Sequence, residues 1–447
     1  MNRSRSARRV DPRSAAAALL SFLFPGAGQA YNGRWALAWL LATPVLLIVI
    51  LGILVLASGN GVLGRLLDTR VLVALIVLDV ALLAWRLVAI LQAHADRGAL
   101  TLRAWPAWVT GFLVIATIAM HAMPGYYAAK AIDTLGSVAL EGGGGLFDHR
   151  AGRDVDLANP TFEPEVRRGE RVTVLLVGVD FAPGRDHHLT DTMLVATLDP
   201  QTREAAMVSV PRDLYGVPLG DGRTWNAKLN SLMARAGSDP TNFPEGGPAA
   251  LKTAIGELLG TRIHYVAAID IEGMRQVIDT IGGVNITVER AVNDPRYIDT
   301  FTDQRGFFIQ PGQHHMDGRT AMAFIRSRQG EGDSDFTRAE RQQQVLTAIA
   351  QKMTAGNLLV TLPGLLDAIK DNVSTDIPSS RIPDLAAEAQ RADLGDIERV
   401  VLAPPEYVTP DPNSAAGYIL IPNFEAIAQL GERIFGSSTA EAPSPGP

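Results

Sequence analysis

Eight side chains carry most of the chemistry legible in this sequence. Asp180 ends the apolar run Val172–Val179, and Asp191 follows eleven residues later in Thr190-Asp191-Thr192. Arg212 lies in Val210-Pro211-Arg212-Asp213. Arg326, Arg328, Asp335, Arg338 and Gln342 crowd into Phe324–Gln344. Carboxylates hold hard cations such as Mg²⁺ (or Mn²⁺), usually one or two of them alongside substrate phosphates and water. Arginine keeps its charge and grips phosphoryl oxygens through a planar fork of donors. The combination points to phosphoryl transfer, in which positioning and charge neutralisation supply most of the catalysis.

Each of these residues also has a plain structural reading. Asp180 and Asp191 would serve as turn or cap residues, and Asp335 as a helix N-cap, a task Ser334 could also fill. An arginine-rich helix is commonly a solvated face. Spacing argues for more. Arg326 and Arg328 share a face on extended backbone, while Arg338 and Gln342 share one on a helix. Asp335 stands near a helix start, where anions bind. Ser327, Gly330, Gly332 and Ser334 suit a loop folded close around a ligand. The pairs His187-His188 and His314-His315 lack carboxylates at zinc-site spacing and read as exposed loop residues. Ser209 lacks the glycine pattern of a nucleophile elbow.

The elements that must position these groups follow from apolar periodicity. Val172–Val179 is almost continuously apolar, which predicts a central strand covered on both faces. Asp180 would then lie where open α/β sheets bind ligands, beyond a strand's carboxyl end. Met193–Leu198 and Ala205–Val210 read as strands joined by the turn Asp199–Thr202. Ile263–Ile271, Val284–Val288 and Ile397–Leu402 read as further strands. Helices are expected over Pro248–Leu259, Glu272–Ile281, Gly318–Ile325, Phe336–Met353, Leu362–Asp371, Arg381–Arg391 and Phe424–Ile434. The fold expected is α/β: a three-layer α/β/α sandwich with a mixed central sheet, preceded by an all-α transmembrane region.

The chain has 447 residues, no cysteine and a net charge of −7. Disulfides, thiolate metal sites and cysteine nucleophiles are excluded, and no basic footprint for nucleic acid is present. Leu37–Ala57, Val71–Gln92 and Ala107–Met123 are apolar runs near the ~20 residues needed to cross a bilayer. Within Ser14–Gly33 the apolar run Ala15–Phe24 is too short to span and Pro25–Gln29 interrupts it, so the stretch is read as re-entrant or interfacial. A fourth crossing there is the alternative and would reverse the topology. Asp79 and Arg86 share one helical face inside the second run, with Arg86 expected to pack or snorkel. Five arginines in the first thirteen residues hold the N-terminus in the cytoplasm, so three crossings place the rest outside the cell.

Five regions result. Residues 1–36 form a cytoplasmic tail and re-entrant segment, and residues 37–123 a transmembrane region. Residues 124–170 form a flexible linker that includes four consecutive glycines. Residues 171–435 form the catalytic domain, and residues 436–447 a disordered tail rich in Ser, Ala and Pro.

Ordered blocks across this domain resemble a known family. They are Leu175-Leu176-Val177-Gly178-Val179-Asp180, Thr190-Asp191-Thr192-Met193, Val210-Pro211-Arg212-Asp213 and Lys228-Leu229-Asn230. Ile281-Gly282-Gly283-Val284, Pro311-Gly312, Met316-Asp317-Gly318, Ala323–Arg328 and Asp335–Gln342 complete them. In this order and spacing they are similar to the LytR-CpsA-Psr family of bacterial cell-envelope proteins, from about Arg171 to Lys352. The resemblance implies a glycopolymer ligase. Such an enzyme moves a glycan with its phosphate from a polyprenyl-pyrophosphate carrier in the lipid bilayer to peptidoglycan, through a phosphodiester. It further implies that Asp180 and Asp191 bind Mg²⁺, and that Arg212, Arg326, Arg328, Arg338 and Gln342 contact the pyrophosphate. Asp335 would lie near the metal or the acceptor. Arg212, Asp335 and Arg338 form the expected catalytic set. The family usually carries an arginine where this chain has Leu189, a place Arg185 or His188 could fill from the loop. Two other activities fit the same residues: a Mg²⁺-dependent polyprenyl-pyrophosphate phosphatase, and a non-catalytic lipid-binding regulator of envelope assembly.

Overall fold

A computed structural model of the chain describes residues 11–57, 69–97, 104–138, 169–179, 190–330, 332–354, 364–365, 367–369, 372–378, 381–389 and 391–436. The chain divides into two units, Met1–Asp133 and Thr134–Pro447.

The first unit is helical. Trp35–Ala57, Thr69–Ala95 and Trp105–Val138 form helices, and all three are long and apolar enough to cross a membrane. The region read as re-entrant forms two short helices, Arg13–Leu23 and Ala27–Tyr31. Phe24 leaves the first in extended backbone, and Gly26 turns the chain at φ 99°. Buried Gln29 fastens the pair to the Thr69–Ala95 helix: its Nε2 donates to the Ala89 carbonyl and to Gln92 Oε1, both at 2.8 Å. Asp79 and Arg86 each take a partner outside their own helix. The Asp79 carboxylate lies 2.7 Å from His121 Nδ1. Arg86 donates to the Phe22 carbonyl at 2.6 Å and lies over the Phe22 ring.

The expected linker of residues 124–170 starts later than the sequence reading has it. The Trp105–Val138 helix continues through Pro124. Pro124-Gly125 reads as a stop, but the following Tyr126–Val138 stretch, with Ala128, Ala129, Lys130 and Ala131, has strong helix formers that sustain the turns beyond it. Residues 139–168 of the linker, and all of the C-terminal tail past residue 436, lie outside the described residues.

The second unit is an α/β/α sandwich. Its strands are β1 (Val172–Val179), β2 (Thr190–Leu198), β3 (Ala205–Ser209), β4 (Tyr215–Pro218), β5 (Thr224–Lys228), β6 (Tyr265–Asp270) and β7 (Val284–Val288). They continue with β8 (Val292–Ile298), β9 (Arg305–Ile309), β10 (Gly312–Met316), β11 (Val373–Thr375), β12 (Glu398–Val401), β13 (Val408–Ser414) and β14 (Gly417–Pro422). Six form the central sheet in the order β11-β6-β1-β2-β3-β12. The sheet is mixed: β1 pairs parallel with β6 and antiparallel with β2, and β3 pairs parallel with β12.

Alternation along the strands assigns the two faces. Leu175, Val177, Val179, Met193 and Val195 turn to one side and join a core with the helices Leu232–Ser238, Gly246–Leu259 and Phe424–Phe435. Fully burying each such Leu or Val contributes roughly 1.5–3 kcal/mol. On the other side lie the helices Ile271–Thr280, Gly318–Arg326 and Asp335–Thr354, packed through Ile278, Phe324 and Val345. Between this helical layer and the sheet the packing opens. Leu176, Leu194, Ala267 and Ile269 floor a cavity of about 1060 Å³, and Met274, Met322, Ile325, Leu346 and Ile349 cover it. The central strand β1 therefore has core on one face and cavity on the other. Gly178 marks the close approach there, since a Cβ at that position would come within 2.9 Å of Thr192 Cβ.

One edge of the sheet collects the sequence's charged residues. The carboxyl ends of β1 and β6 meet at Val179 and Asp270, and Val179 pairs with Thr190 at the start of β2. Residues beyond β3 return to the same edge, where the Val210 N–H donates to the Met193 carbonyl at 2.9 Å. Asp191, expected just before a strand, is inside β2 as its second residue. Pairing of Thr190 with Val179 across an irregular register extends the ladder past the apolar run that the sequence displays.

Candidate functional site: a charged cluster on an apolar cavity

Arg212 joins two carboxylates from distant parts of the chain. Its Nη1 donates to Asp191 Oδ1 at 2.6 Å, and its Nη2 lies 3.6 Å from Asp335 Oδ2. Asp213 approaches the Arg212 Nε at 3.7 Å and is itself held by Lys228 Nζ at 2.8 Å. Burial lowers the Arg212 pKa, but Asp191, Asp335 and Asp213 outweigh it and the net shift is upward.

Asp335 opens the helix Asp335–Thr354 without capping it. Ser334 takes that task, its Oγ accepting the Thr337 N–H at 3.2 Å, and Asp335 is left to meet Arg338 Nη1 at 3.2 Å. Arg338 is buried. Burial depresses its pKa, with Arg212 and Arg328 adding repulsion and Asp335 and Asp191 opposing it. A buried arginine beside two others is held at a cost in desolvation and like-charge repulsion, a cost that an arriving anion relieves.

Asp191, Arg212, Arg326, Arg328, Arg338 and Gln342 all line the cavity. Arg326 ends its helix and donates to Thr300 Oγ1 at 3.0 Å. Arg328 follows two residues later, and the buried Asp294 holds its backbone. Asp294 Oδ2 accepts the Arg328 and Gln329 N–H groups at 3.0 and 3.2 Å, while Oδ1 accepts the Arg296 N–H at 3.0 Å. The hairpin β8–β9 that carries Asp294 forms a cavity wall through Tyr297, Ile298 and Phe301. Arg319 clamps the hairpin's turn by donating to Asp299, Thr302 and Gln304.

Seven of the eight sequence-marked residues thus converge, four of them through ion pairs. Asp180 is outside the described residues, as are Arg185, His187, His188 and Leu189. Arg341, next to Gln342 in sequence, turns away from the cavity. It donates to the Ser327 carbonyl, pairs with Asp333 at 3.3 Å and lies over the Phe324 ring, so it braces the loop between the two helices. Asp294 is the residue sequence reasoning missed. Asn293-Asp294-Pro295 reads as a turn, and a buried aspartate serving as acceptor for the backbone that carries Arg328 leaves no local signal.

His314 and His315 lie on β10, bound to the Gln310 carbonyl and to Asn285. Among the described residues no three His, Asp or Glu side chains gather as a metal group. Ser209 accepts a hydrogen bond from Gln343 Nε2 at 2.9 Å and is buried.

Residues 148–413 match the LytR_cpsA_psr family, and the chain belongs to that family. It is 29% identical over 230 residues to the polyisoprenyl-teichoic acid–peptidoglycan teichoic acid transferase TagU of Bacillus cereus (strain AH820), covering 52% of this chain and 68% of that one. It is 25% identical over 206 residues to the corresponding transferase TagV of Bacillus subtilis (strain 168), covering 46% and 49%. Among solved structures, protein gbs0355 of Streptococcus agalactiae aligns with a TM-score of 0.48 at 23% identity, over 60% of this chain and 88% of that one. The structure of TagT bound to LIIa-WTA aligns with a TM-score of 0.47 at 23% identity, over 61% and 93%.

Proposed function

We propose that this protein transfers a glycopolymer, together with its phosphate, from a polyprenyl-pyrophosphate carrier to peptidoglycan. The observation that carries the reading is the shared lining of one cavity. The sheet and the helical layer supply an apolar chamber of about 1060 Å³, and Asp191, Arg212, Arg326, Arg328 and Arg338 line it, with Asp335 held beside them by Arg212 and Arg338. An amphiphile with a long apolar tail and a pyrophosphate head has that same division of surface. The names of the relatives TagU and TagV support the choice of carrier and acceptor.

In the proposed reaction a sugar hydroxyl oxygen of the acceptor attacks the phosphorus that bears the glycan. The new P–O bond forms as the bond from that phosphorus to the bridging pyrophosphate oxygen breaks. Polyprenyl phosphate leaves with the electron pair, and the hydroxyl proton passes to a carboxylate. Asp335 is the better placed base, because Asp191 is held at 2.6 Å by Arg212 whereas the nearest arginine nitrogen to Asp335 is 3.2 Å away. Arg212, Arg338, Arg326 and Arg328 offset the charge that builds on the phosphoryl and leaving oxygens, and Gln342 donates beside them. The apolar walls exclude water, which strengthens each of these interactions.

A Mg²⁺ or Mn²⁺ ion belongs to the proposal. Asp191 fits it chemically: a hard oxygen donor, partly exposed at the cavity wall, of the kind these ions take. Asp191 and Asp180 would hold the ion, which when bound neutralises pyrophosphate oxygens as a Lewis acid. The N-terminal arginines and three long apolar helices support a multi-pass protein in the cell membrane, with residues past Val138 outside the cell.

The test uses the full chain in detergent micelles, a synthetic polyprenyl-pyrophosphate glycan, peptidoglycan fragments, and Mg²⁺ or a chelator. Mass spectrometry should find the glycan joined to the fragment by a phosphodiester, in the Mg²⁺ sample alone. Release of polyprenyl phosphate with no joined product, whatever the fragment, would replace the transferase with a hydrolase. Donor bound but unchanged would replace it with a binding protein.

A further inference from the structure

A transferase needs room for two substrates, and the cavity accounts for one. Neither Asp213 nor Asp335 belongs to the cavity lining, although both flank Arg212. The hairpin β13–β14 packs beside Asp213. Leu420 of that hairpin bridges in parallel to Leu214, and its N–H donates to the Asp213 carbonyl at 2.9 Å. Tyr418 precedes Leu420 by two residues on β14, near the point where that strand is bonded to Asp213. Gly417, at φ 79°, turns the chain into β14 immediately before it.

Tyr418 is 44% exposed, whereas Ile419 and Leu420 after it are buried. Its side chain is therefore open to solvent and contributes little to the core. The surroundings register its place. Burial first, then the negative charge of Asp213 and Asp335, push the Tyr418 hydroxyl pKa up, so both carboxylates lie within electrostatic reach. Asp213 is committed to Lys228 and Arg212. Asp335 is more open, with its side chain 36% exposed.

An aromatic ring next to a carboxylate is the surface that a sugar requires. A pyranose has an apolar face of C–H bonds, weakly positive, that stacks on the negative face of an aromatic ring. Its rim of hydroxyls donates to carboxylates. We propose that Tyr418 and Asp335 form a glycan-binding subsite, in which a pyranose of the acceptor strand rests on the Tyr418 ring with one hydroxyl directed to Asp335. The proposal rests on the transferase reading above for the identity of its ligand. It assigns the acceptor to the β13–β14 side of Arg212 and the lipid carrier to the cavity side.

The test measures binding and needs no turnover. Soluble, uncrosslinked N-acetylglucosamine–N-acetylmuramic acid tetrasaccharide is titrated into the full chain in micelles, by calorimetry and by ligand-observed saturation-transfer NMR. A short-chain polyprenyl pyrophosphate is titrated in parallel. Tyr418→Ala should weaken tetrasaccharide binding at least tenfold, and Tyr418→Phe should leave it within twofold of wild type. Lipid binding should stay within twofold in both variants. Unchanged tetrasaccharide affinity in Tyr418→Ala, equal loss of both ligands, or no tetrasaccharide binding by the wild type would each overturn the subsite. A wild-type chain that binds the tetrasaccharide through Tyr418 but transfers nothing would uphold the subsite while removing the transferase reading.

Discussion

The Arg212 guanidinium donates to the Asp191 carboxylate at 2.6 Å, joining the turn after β3 to the second residue of β2. The same guanidinium reaches toward Asp335 from its other terminal nitrogen. A planar fork spans both carboxylates at once, which a single ammonium cannot do. Arg212→Lys should therefore lower transfer by about 100-fold or more, the range seen when one preorganised donor to a transition-state anion is removed. Steady-state transfer by the full chain in micelles checks this. Activity within threefold of wild type would take Arg212 out of the catalytic set.

Arg338 separates activity from stability. It is buried, beside Arg212 and Arg328, and its burial opposes its own charge. Removing its charge relieves the repulsion with Arg212 and Arg328, while the partly exposed Asp335 keeps Arg212 as a partner. Arg338→Met should keep or raise the thermal midpoint, while transfer falls about 100-fold or more. Calorimetry and the transfer assay on one preparation decide the matter. A large drop in the midpoint would mean that Arg338 holds the fold instead of the substrate.

Much of this arrangement was legible because its parts obey short-range rules. Val172–Val179 appears as a strand with those bounds, since a central strand buries an almost unbroken apolar run. The helices Gly318–Arg326 and Asp335–Thr354 follow their periodicity to within a residue or two of the expected ends. Arg326 at the end of the first helix and Arg328 in the loop after it both line the cavity. What stayed hidden is long-range or amphiphilic in the wrong way. The β8–β9 hairpin carries Asp294, Pro295 and Arg296 within an irregular register, and so lacks the clean alternation of a strand. Arg341 sits about 100° around the helix from Gln342, enough to send it into the loop and not the cavity. Adjacent positions on one helix cannot be told apart until the neighbouring elements are known. The partnership of Asp79 with His121 crosses between two helices, and composition alone offers no trace of it.

Asp294 makes a prediction about the backbone that carries Arg328. One buried carboxylate accepts three main-chain N–H groups, those of Arg296, Arg328 and Gln329. Asp294→Ala removes the shared acceptor of three part-buried donors and should cost about 1–3 kcal/mol. Asp294→Asn keeps one acceptor oxygen and should recover part of the loss. Denaturant unfolding measures both. If the alanine variant is as stable as wild type, then the carboxylate does not organise the loop.

The last prediction concerns acid stability. His264 Nδ1 accepts the Thr173 N–H at 3.0 Å at the start of β1, a bond that requires that nitrogen to be unprotonated. Desolvation, helped by the positive charge of Arg262 and Lys252, lowers the His264 pKa to about 4. The unfolded chain binds the proton near the ordinary histidine value of about 6.5. Between those two values the unfolded state holds more protons than the folded one, so stability rises with pH across the window. The stabilisation is fully present above about 6.5 and is lost progressively as the pH falls toward about 4. His264→Asn offers an acceptor oxygen near the Nδ1 position and does not titrate. Relative to this variant, the wild type should lose on the order of 2 kcal/mol more between neutral pH and pH 4. Denaturant midpoints across that range, compared for the two proteins, test the assignment; parallel curves would show that His264 titrates alike in the folded and unfolded chain.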